Sequence, residues 1–324
     1  MKAIRVHEKG GPEVLELEDL PEPTPGRGEV LIDIEAVGIN FTDIYHRVGL
    51  YEVPRPFTLG GEAAGRVRAV GDGVTDLAVG DRVVSQNVKG SYAERAIVAA
   101  QTCVKIPEGV SSKVAAAVWL QGLTAQYLVD SVYPLKKGDR ALVHAAAGGV
   151  GLLLCQMAKM RGAFIIGTAS TPEKRELAKK AGADEMIDYT TQDFAAETRR
   201  ITNGAGVDVV YDSVGKTTFD QSIDCLRRRG MMALFGQSSG PVPPMDPQLL
   251  NRKGSLFLTR PKLGDYVATR EELVVRGDQL LGWIQSGKLD VRIGAEFPLA
   301  QAAEAHRALE SRKTTGKILL TVGS

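Results

Sequence analysis

From Ala141 to Gly151 the chain reads Ala-Leu-Val-His-Ala-Ala-Ala-Gly-Gly-Val-Gly, and an apolar, helix-length run follows. Strand, glycine turn and helix in that order are the entrance to a phosphate-binding βα unit. The glycines let the backbone approach a pyrophosphate, and the helix N-terminus offers free N–H groups and a partial positive charge. Aligned on G-x-G-x-x-G, the first glycine becomes Ala146, Gly148 permits the close approach, and Gly151 permits the helix to pack on the strand. A lone fingerprint is weak evidence, but its context is not. Apolar runs at 141–145, 164–168, 185–189, 207–214, 231–235 and 255–259 are separated by helix-length segments, the rhythm of a doubly wound six-stranded parallel sheet. The segment 141–158 nears the ~20 residues of a membrane span, yet His144, the paired glycines and Gln156 argue for strand, turn and buried helix.

Before residue 124 the rhythm differs. Short alternating runs at 2–6, 14–17, 30–36, 64–70, 82–85 and 92–98 are broken by glycines and by prolines at 21–25 and 54–56, which predicts an antiparallel, barrel-like β domain. Beyond about residue 264 the alternation stops, leaving amphipathic helices at 270–286 and 301–311 and a last strand at 317–322. With 324 residues, the chain exceeds what one core comfortably serves. The expected division is 1–124 for the first domain, 125–263 for the dinucleotide-binding domain, and 264–324 returning to complete the first, with a cleft between the two.

The nucleotide is chosen at the end of the second strand, about 20 residues past the glycine turn, where a carboxylate would bind a ribose 2′-hydroxyl and repel a 2′-phosphate. None stands there: the residues are Gly167, Thr168, Ala169 and Ser170, with Lys174 and Arg175 in the first turn of a helix predicted over 171–181. Pro172 and Gly182 bracket that helix. Cations in a first turn oppose the helix dipole, so the pattern favours NADPH, although Glu173 and Glu176 offer Lys174 and Arg175 a simpler role as surface charges.

Composition excludes other classes. Forty Lys and Arg against 39 Asp and Glu create no field for nucleic acid or an anionic membrane, so neither is expected as a partner. Cys103, Cys155 and Cys225 lack CxxC spacing, so no disulfide framework or cysteine zinc site is expected and a reducing cytoplasm is. No metal site is expected either: His7, His46, His144 and His306 show no ligand spacing with one another or with the cysteines, and each reads as a strand or surface histidine.

The segments Gly38-Ile-Asn-Phe-Thr-Asp43 with Tyr45, Gly49-Leu-Tyr51, Gly60-Gly-Glu-Ala-Ala-Gly65, Gly80-Asp-Arg-Val83, His144–Gly151, Tyr211-Asp-Ser-Val-Gly215, Phe235-Gly-Gln-Ser-Ser-Gly240 and Thr259-Arg-Pro261 together resemble the zeta-crystallin-like quinone oxidoreductases of the medium-chain dehydrogenase/reductase superfamily. The resemblance spans nearly the whole chain. It implies an α/β protein in which a GroES-like β-rich catalytic domain accompanies a Rossmann domain. The zinc alcohol dehydrogenases of that superfamily place a cysteine ligand where this chain has Asn40 and a histidine ligand where it has Gly61, so the chemistry is expected to proceed without zinc. Without a Lewis acid, the acceptor must spread incoming charge by itself, as a quinone or conjugated carbonyl does.

The resemblance also implies roles. Asn40, Phe41, Thr42 and Asp43 would meet the nicotinamide end of NADPH, although Asn and Asp also simply favour turns. Tyr45 and Tyr51 would join Asn40 and Asp43 around the acceptor, or serve as ordinary core aromatics. Thr124 and Tyr127 would contact the cofactor, with Gly148, Gly149 and Val150 on its pyrophosphate, Ser170 and Lys174 on its 2′-phosphate and Tyr189 on its adenosine. Val214, Gly236, Gln237 and Ser238 would flank it, and Pro261, Leu263 and Arg312 would close around it. A homodimer through the sheet edge at 254–259 is implied as well. The alternatives are an alkenal or enoyl reductase on the same fold, and a non-catalytic crystallin-like protein that binds NADPH or RNA.

Overall fold

The computed structural model describes residues 1–323. The chain divides into two compact units, Met1–Leu123 with the segment from Val267 onward, and Thr124–Tyr266.

The first unit is built on a seven-stranded sheet whose long central strand, Glu29–Gly38, pairs antiparallel with Ala63–Val70, Arg95–Ala99 and Lys317–Thr321. Its core gathers Val30, Ile32, Ile34 and Val37 with Val67, Val83, Tyr92 and Leu320. Among the described residues, every strand pairing within 1–124 is antiparallel, as expected, and a parallel pair comes from the returning segment. Ile293–Pro298, not anticipated as a strand, lies parallel to Lys317–Thr321 at the sheet edge, and its half-exposed residues gave little apolar alternation to read.

Two helices were also missed. The segment after Asn40 forms a helix, α1 (Phe41–Arg47): Asn40 is its N-cap in extended conformation, and the Asn40 backbone N–H donates to Asp43 Oδ2 at 2.8 Å. These are the residues that read most readily as a turn, because the same side-chain chemistry serves caps and turns. The second helix is α2 (Ser112–Tyr127). Its residues Ala115 to Trp119 are buried on every face, and a helix without a polar side has no periodicity to reveal it. The strand expected at 14–17 is displaced to Glu16–Asp19, behind a short 3₁₀ turn at Pro12–Val14.

The second unit is a six-stranded, all-parallel sheet. Numbered among themselves along the chain, the strands run 3-2-1-4-5-6, the doubly wound Rossmann order. The order reverses between the strands Arg140–Val143 and Val207–Asp212, and ligands of such sheets bind beyond the carboxyl ends at that reversal. Helix α3 (Gly149–Met160) follows the first strand and buries Leu152, Leu153, Leu154, Met157 and Ala158. Helix α4 (Pro172–Lys180) follows the second, with the Thr171 hydroxyl accepting the Lys174 backbone N–H at 3.3 Å. Among the described residues no helix is long and apolar enough to cross a membrane.

Candidate functional site

In the nucleotide-fold unit, the turn between Val143 and α3 has the geometry its sequence requires. Ala145 takes a left-handed conformation (φ 50°), and the Ala146 N–H bonds the Thr168 carbonyl at 3.1 Å. A side chain on Gly151 would place its Cβ 2.3 Å from the Ala145 carbonyl oxygen and 2.8 Å from the Ala146 backbone. Gly151 therefore has no substitute, and it serves the turn itself as much as helix packing. Gly148, the N-cap of α3, brings no capping side chain, so the first-turn N–H groups have no side-chain oxygen from that position. The residues present fit a dinucleotide pyrophosphate.

Behind the turn lies a buried polar relay. The Asp212 carboxylate, fully buried, accepts the Val214 and Gly215 N–H groups at 2.7 and 3.0 Å and the hydroxyls of Thr218 and Ser222 at 2.7 and 3.2 Å. Because Ser222 gives its proton to Asp212, it accepts from His144 Nε2–H at 2.9 Å, which leaves Nδ1 to accept the Thr168 hydroxyl at 3.1 Å. Burial holds His144 below the usual histidine range, against the pull of Asp212. This is no hydrolytic triad, since the carboxylate meets the serine and not the imidazole. It fixes two loops expected at the cofactor, those at Thr168 and at Val214.

Gly236 stands against the Ser213 backbone, where a Cβ would come within 2.5 Å of the Ser213 carbonyl oxygen. The Ser238 N–H bonds that same oxygen at 3.1 Å, so Val214, Gly236, Gln237 and Ser238 form one neighbourhood. At the second strand, Ser170 and the half-buried Lys174 flank the α4 N-terminus, and burial lowers the Lys174 amine. Arg175 is turned aside to Asp188 at 2.6 Å. Tyr189 is exposed. The buried Tyr127 ring stacks on Tyr266 at 4.3 Å, next to buried Thr124. Pro261 is buried and Leu263 half-buried.

In the β-rich unit, α1 presents two faces. Phe41 and Tyr45 are one helical turn apart with ring centroids 6.3 Å from each other, and Tyr51 meets Tyr45 edge-on at 5.3 Å. This group is partly exposed, with Thr42 beside it. The other face is polar and buried. Asn40 Nδ2 donates to the Gly38 carbonyl at 3.1 Å and to Glu62 Oε2 at 2.8 Å, while Asn40 Oδ1 accepts from Lys317 Nζ at 2.8 Å. Both amide N–H groups are committed, so the expectation that Asn40 acts directly on an acceptor finds no free donor there. Asp43 is likewise turned inward, accepting the Tyr92 hydroxyl at 3.2 Å. Burial raises its carboxyl to about 7 despite the opposing pull of the Asn40 N–H, Lys317 and Tyr92. Arg312, in the same unit, is exposed with φ 57°.

Sequence reasoning missed Glu62 and Lys317, both essentially fully buried and paired at 2.6 Å, with Glu62 Oε1 also accepting the Leu120 N–H at 2.6 Å. Their signal was a lone charge beside each of two apolar runs, Glu62 before Ala63 and Lys317 before Ile318, of opposite sign. His306, read as a strand or surface histidine, is instead fully buried on the helix Ala302–Glu310.

The alcohol dehydrogenase GroES-like domain family matches residues 26–108, and the zinc-binding dehydrogenase family matches residues 149–263. A quinone oxidoreductase of Pseudomonas aeruginosa is 46% identical over 98% of this chain and 99% of its own length. The chain belongs to the quinone oxidoreductase family of medium-chain dehydrogenase/reductases. A 2-haloacrylate reductase of Burkholderia is 42% identical over 98% of both chains. The solved structure of Escherichia coli quinone oxidoreductase complexed with NADPH superposes with a TM-score of 0.97 at 44% identity, over 99% of this chain and 100% of that one.

The second family's description names zinc, but the residues here do not suit it. Around Asn40 and Gly61 the carboxylate of Glu62 is filled by an ammonium and two N–H donors and that of Asp43 accepts the Asn40 N–H and the Tyr92 hydroxyl, and no cysteine or histidine ligand stands at either position. Among the described residues, the only metal-like grouping of His, Cys, Asp and Glu is His7 with Glu16 and Glu18, on a largely exposed hairpin.

Proposed function

We propose that this chain is a zinc-independent NADPH:quinone reductase. The observation that carries the reading is the α3 turn, whose glycines and uncapped N-terminus suit a pyrophosphate, followed at the second strand by Ser170 and Lys174 and no carboxylate. The complex of the E. coli relative with NADPH supports it.

In this reading NADPH supplies a hydride. Gly148, Gly149 and Val150 bind the pyrophosphate through backbone N–H groups. Ser170 and Lys174 hold the 2′-phosphate, and Tyr189 covers the adenosine. Thr124, Tyr127, Val214, Gly236, Gln237 and Ser238 orient the nicotinamide half, and Pro261, Leu263 and Arg312 close around it. Phe41, Tyr45 and Tyr51, with Thr42 beside them, present an aromatic surface to a planar acceptor, while Asn40 and Asp43 hold the turn that carries them. A conjugated acceptor delocalises the incoming charge, so orientation supplies most of the catalysis. The exposed Phe257 on the edge strand Phe257–Thr259 supports a homodimer formed through that edge, which sedimentation at micromolar concentration tests.

Reduction of a conjugated acid or enal is the second reading, supported by the 2-haloacrylate reductase relative. Steady-state rates with a quinone and an enal, measured in parallel on metal-depleted enzyme, decide between them. Loss of activity on metal removal would refute the zinc-free mechanism. Lys174→Ala should weaken NADPH roughly tenfold or more, the scale of a lost charged hydrogen bond, with little effect on NADH. Equal weakening of both would remove its phosphate role.

A further inference from the structure

Reducing a quinone to a hydroquinone takes a hydride from NADPH and one proton: quinone + NADPH + H⁺ gives hydroquinone + NADP⁺. On the reading above, α1 carries the surface that meets the acceptor, and a buried hydrogen-bonded chain runs away from it. Asp43 accepts from the Tyr92 hydroxyl, Tyr92 meets His306 Nε2 at 3.0 Å, His306 Nδ1 meets Arg47 Nη1 at 3.0 Å, and Arg47 reaches Glu310 at 2.6 Å. Arg47, Tyr92 and His306 are at most 1% exposed and Asp43 is 4% exposed, whereas the Glu310 side chain is 34% exposed. The arrangement has the outline of a proton path from solvent to the site.

The donors decide against that use. A guanidinium only donates and does not deprotonate in proteins, so His306 Nδ1 must accept and the ring proton must sit on Nε2. Nε2–H then donates to the Tyr92 oxygen, and the Tyr92 O–H donates to Asp43 Oδ2. A proton moving toward Asp43 would leave Tyr92 to be refilled by His306, and His306 to be refilled through Nδ1. Arg47 occupies that nitrogen with an N–H it cannot release, so the path is blocked one residue short of Glu310. Arg47 is itself fixed by its bond to the Gly10 carbonyl at 3.1 Å. Burial and the adjacent Arg47 charge push His306 down to about 3, which agrees with a neutral ring of one fixed tautomer.

We infer that Tyr92 and His306 are positioning residues: their one-way hydrogen bonds hold Asp43, and through it the Asn40–Asp43 turn of α1, and they do not conduct the proton of the reaction. That proton arrives from water by another route. The same turn is also held by Lys317 and Glu62 through Asn40, so both Asn40 and Asp43 of the first turn of α1 are anchored.

His306→Gln tests this directly. A glutamine amide can accept from Arg47 and donate to Tyr92, which keeps the direction of both bonds, but it has no proton to pass along. With NADPH and a soluble benzoquinone, His306→Gln should keep kcat within about threefold of the unsubstituted enzyme, while His306→Leu and Tyr92→Phe lower kcat by roughly 10- to 100-fold, the scale of a misplaced reacting group. The KM for NADPH and the solvent deuterium isotope effect should stay constant across the series. If His306→Gln is as slow as His306→Leu, or changes the solvent isotope effect, the chain conducts protons and the inference is wrong. If His306→Leu fails to fold, His306→Gln and its isotope effect still decide. An unsubstituted enzyme that reduces no quinone would overturn the functional reading, and this inference with it, before any variant is made.

Discussion

Replacing Asp43 with asparagine should make stability fall steeply toward acid, whereas replacing His306 with glutamine should make it fall toward neutrality, relative to the unsubstituted protein. Asp43 is raised from the usual 3.8 to about 7 by burial, and His306 is lowered from 6.5 to about 3 by burial and by Arg47. Between 3.8 and about 7 the folded protein holds an Asp43 proton that the unfolded chain has released. That contribution to stability is complete below 3.8 and is lost as pH rises through about 7. Between about 3 and 6.5 the unfolded chain holds a His306 proton that the folded protein lacks. That contribution is complete above 6.5 and is lost as pH falls toward about 3. From 3.8 to 6.5 the two proton differences are equal and opposite, so together they leave stability independent of pH there. Removing one exposes the other, at about 1.4 kcal/mol per pH unit and roughly 3 to 4 kcal/mol across the window. Urea unfolding followed by tryptophan fluorescence at half-unit steps from pH 4.5 to 6.5 measures this, with each variant subtracted from the unsubstituted protein so that other carboxylates cancel. Difference profiles that are flat for both variants, or that slope the same way, would refute the reasoning.

The pair beneath α1 yields two more expectations. Lys317→Met leaves the Glu62 carboxylate buried without its cation and should cost about 3–5 kcal/mol, most of which Glu62→Gln in the same chain recovers; chemical denaturation of the two single variants and the double reads the coupling. Gly38→Ala places a Cβ 2.2 Å from Glu62 Oε2 and 2.7 Å from the Ala116 carbonyl oxygen; because three bonds hold Glu62 in place, the variant should lose about 1–3 kcal/mol, and an unchanged urea midpoint would show that Glu62 yields.

The nucleotide-fold unit was legible because its signals are local. Each strand overlaps a short, mostly apolar run, each crossover has its own start and stop, and the glycine turn must appear where the first strand ends. The 3-2-1-4-5-6 order came only with the structure, which puts the strand before the glycine turn at the reversal. The β-rich unit was less legible, for reasons visible in particular residues. Asn40 and Asp43 are equally at home in a turn and at a helix cap. Ala115 to Trp119 lack a polar face. Ile293–Pro298 is an edge strand with alternate residues exposed. The polar network was least legible of all, since Asn40, Glu62 and Lys317 meet across as many as 277 positions of sequence. No window of sequence contains that encounter.

A buried ion pair is weak evidence of stability, because desolvation offsets most of its attraction and apolar replacements are often as stable. Lys317 and Glu62 therefore call for another account, and their partners supply it. Between them, Glu62 and Lys317 engage both the carbonyl and an N–H of the Asn40 amide, and Glu62 also binds the backbone of α2 at Leu120. An apolar pair could fill the same volume without setting the rotation of that amide. At Asp43, Tyr92 and His306 fix the carboxyl group in the same manner, by bonds whose direction Arg47 imposes. What these groups contribute is orientation at the first turn of α1, the element whose outer face carries Phe41 and Tyr45. If hydride transfer there proceeds without a Lewis acid, a reacting geometry held within a fraction of an ångström is the main resource left to the protein, and a rigid, fully satisfied polar bed is the physical means of holding it.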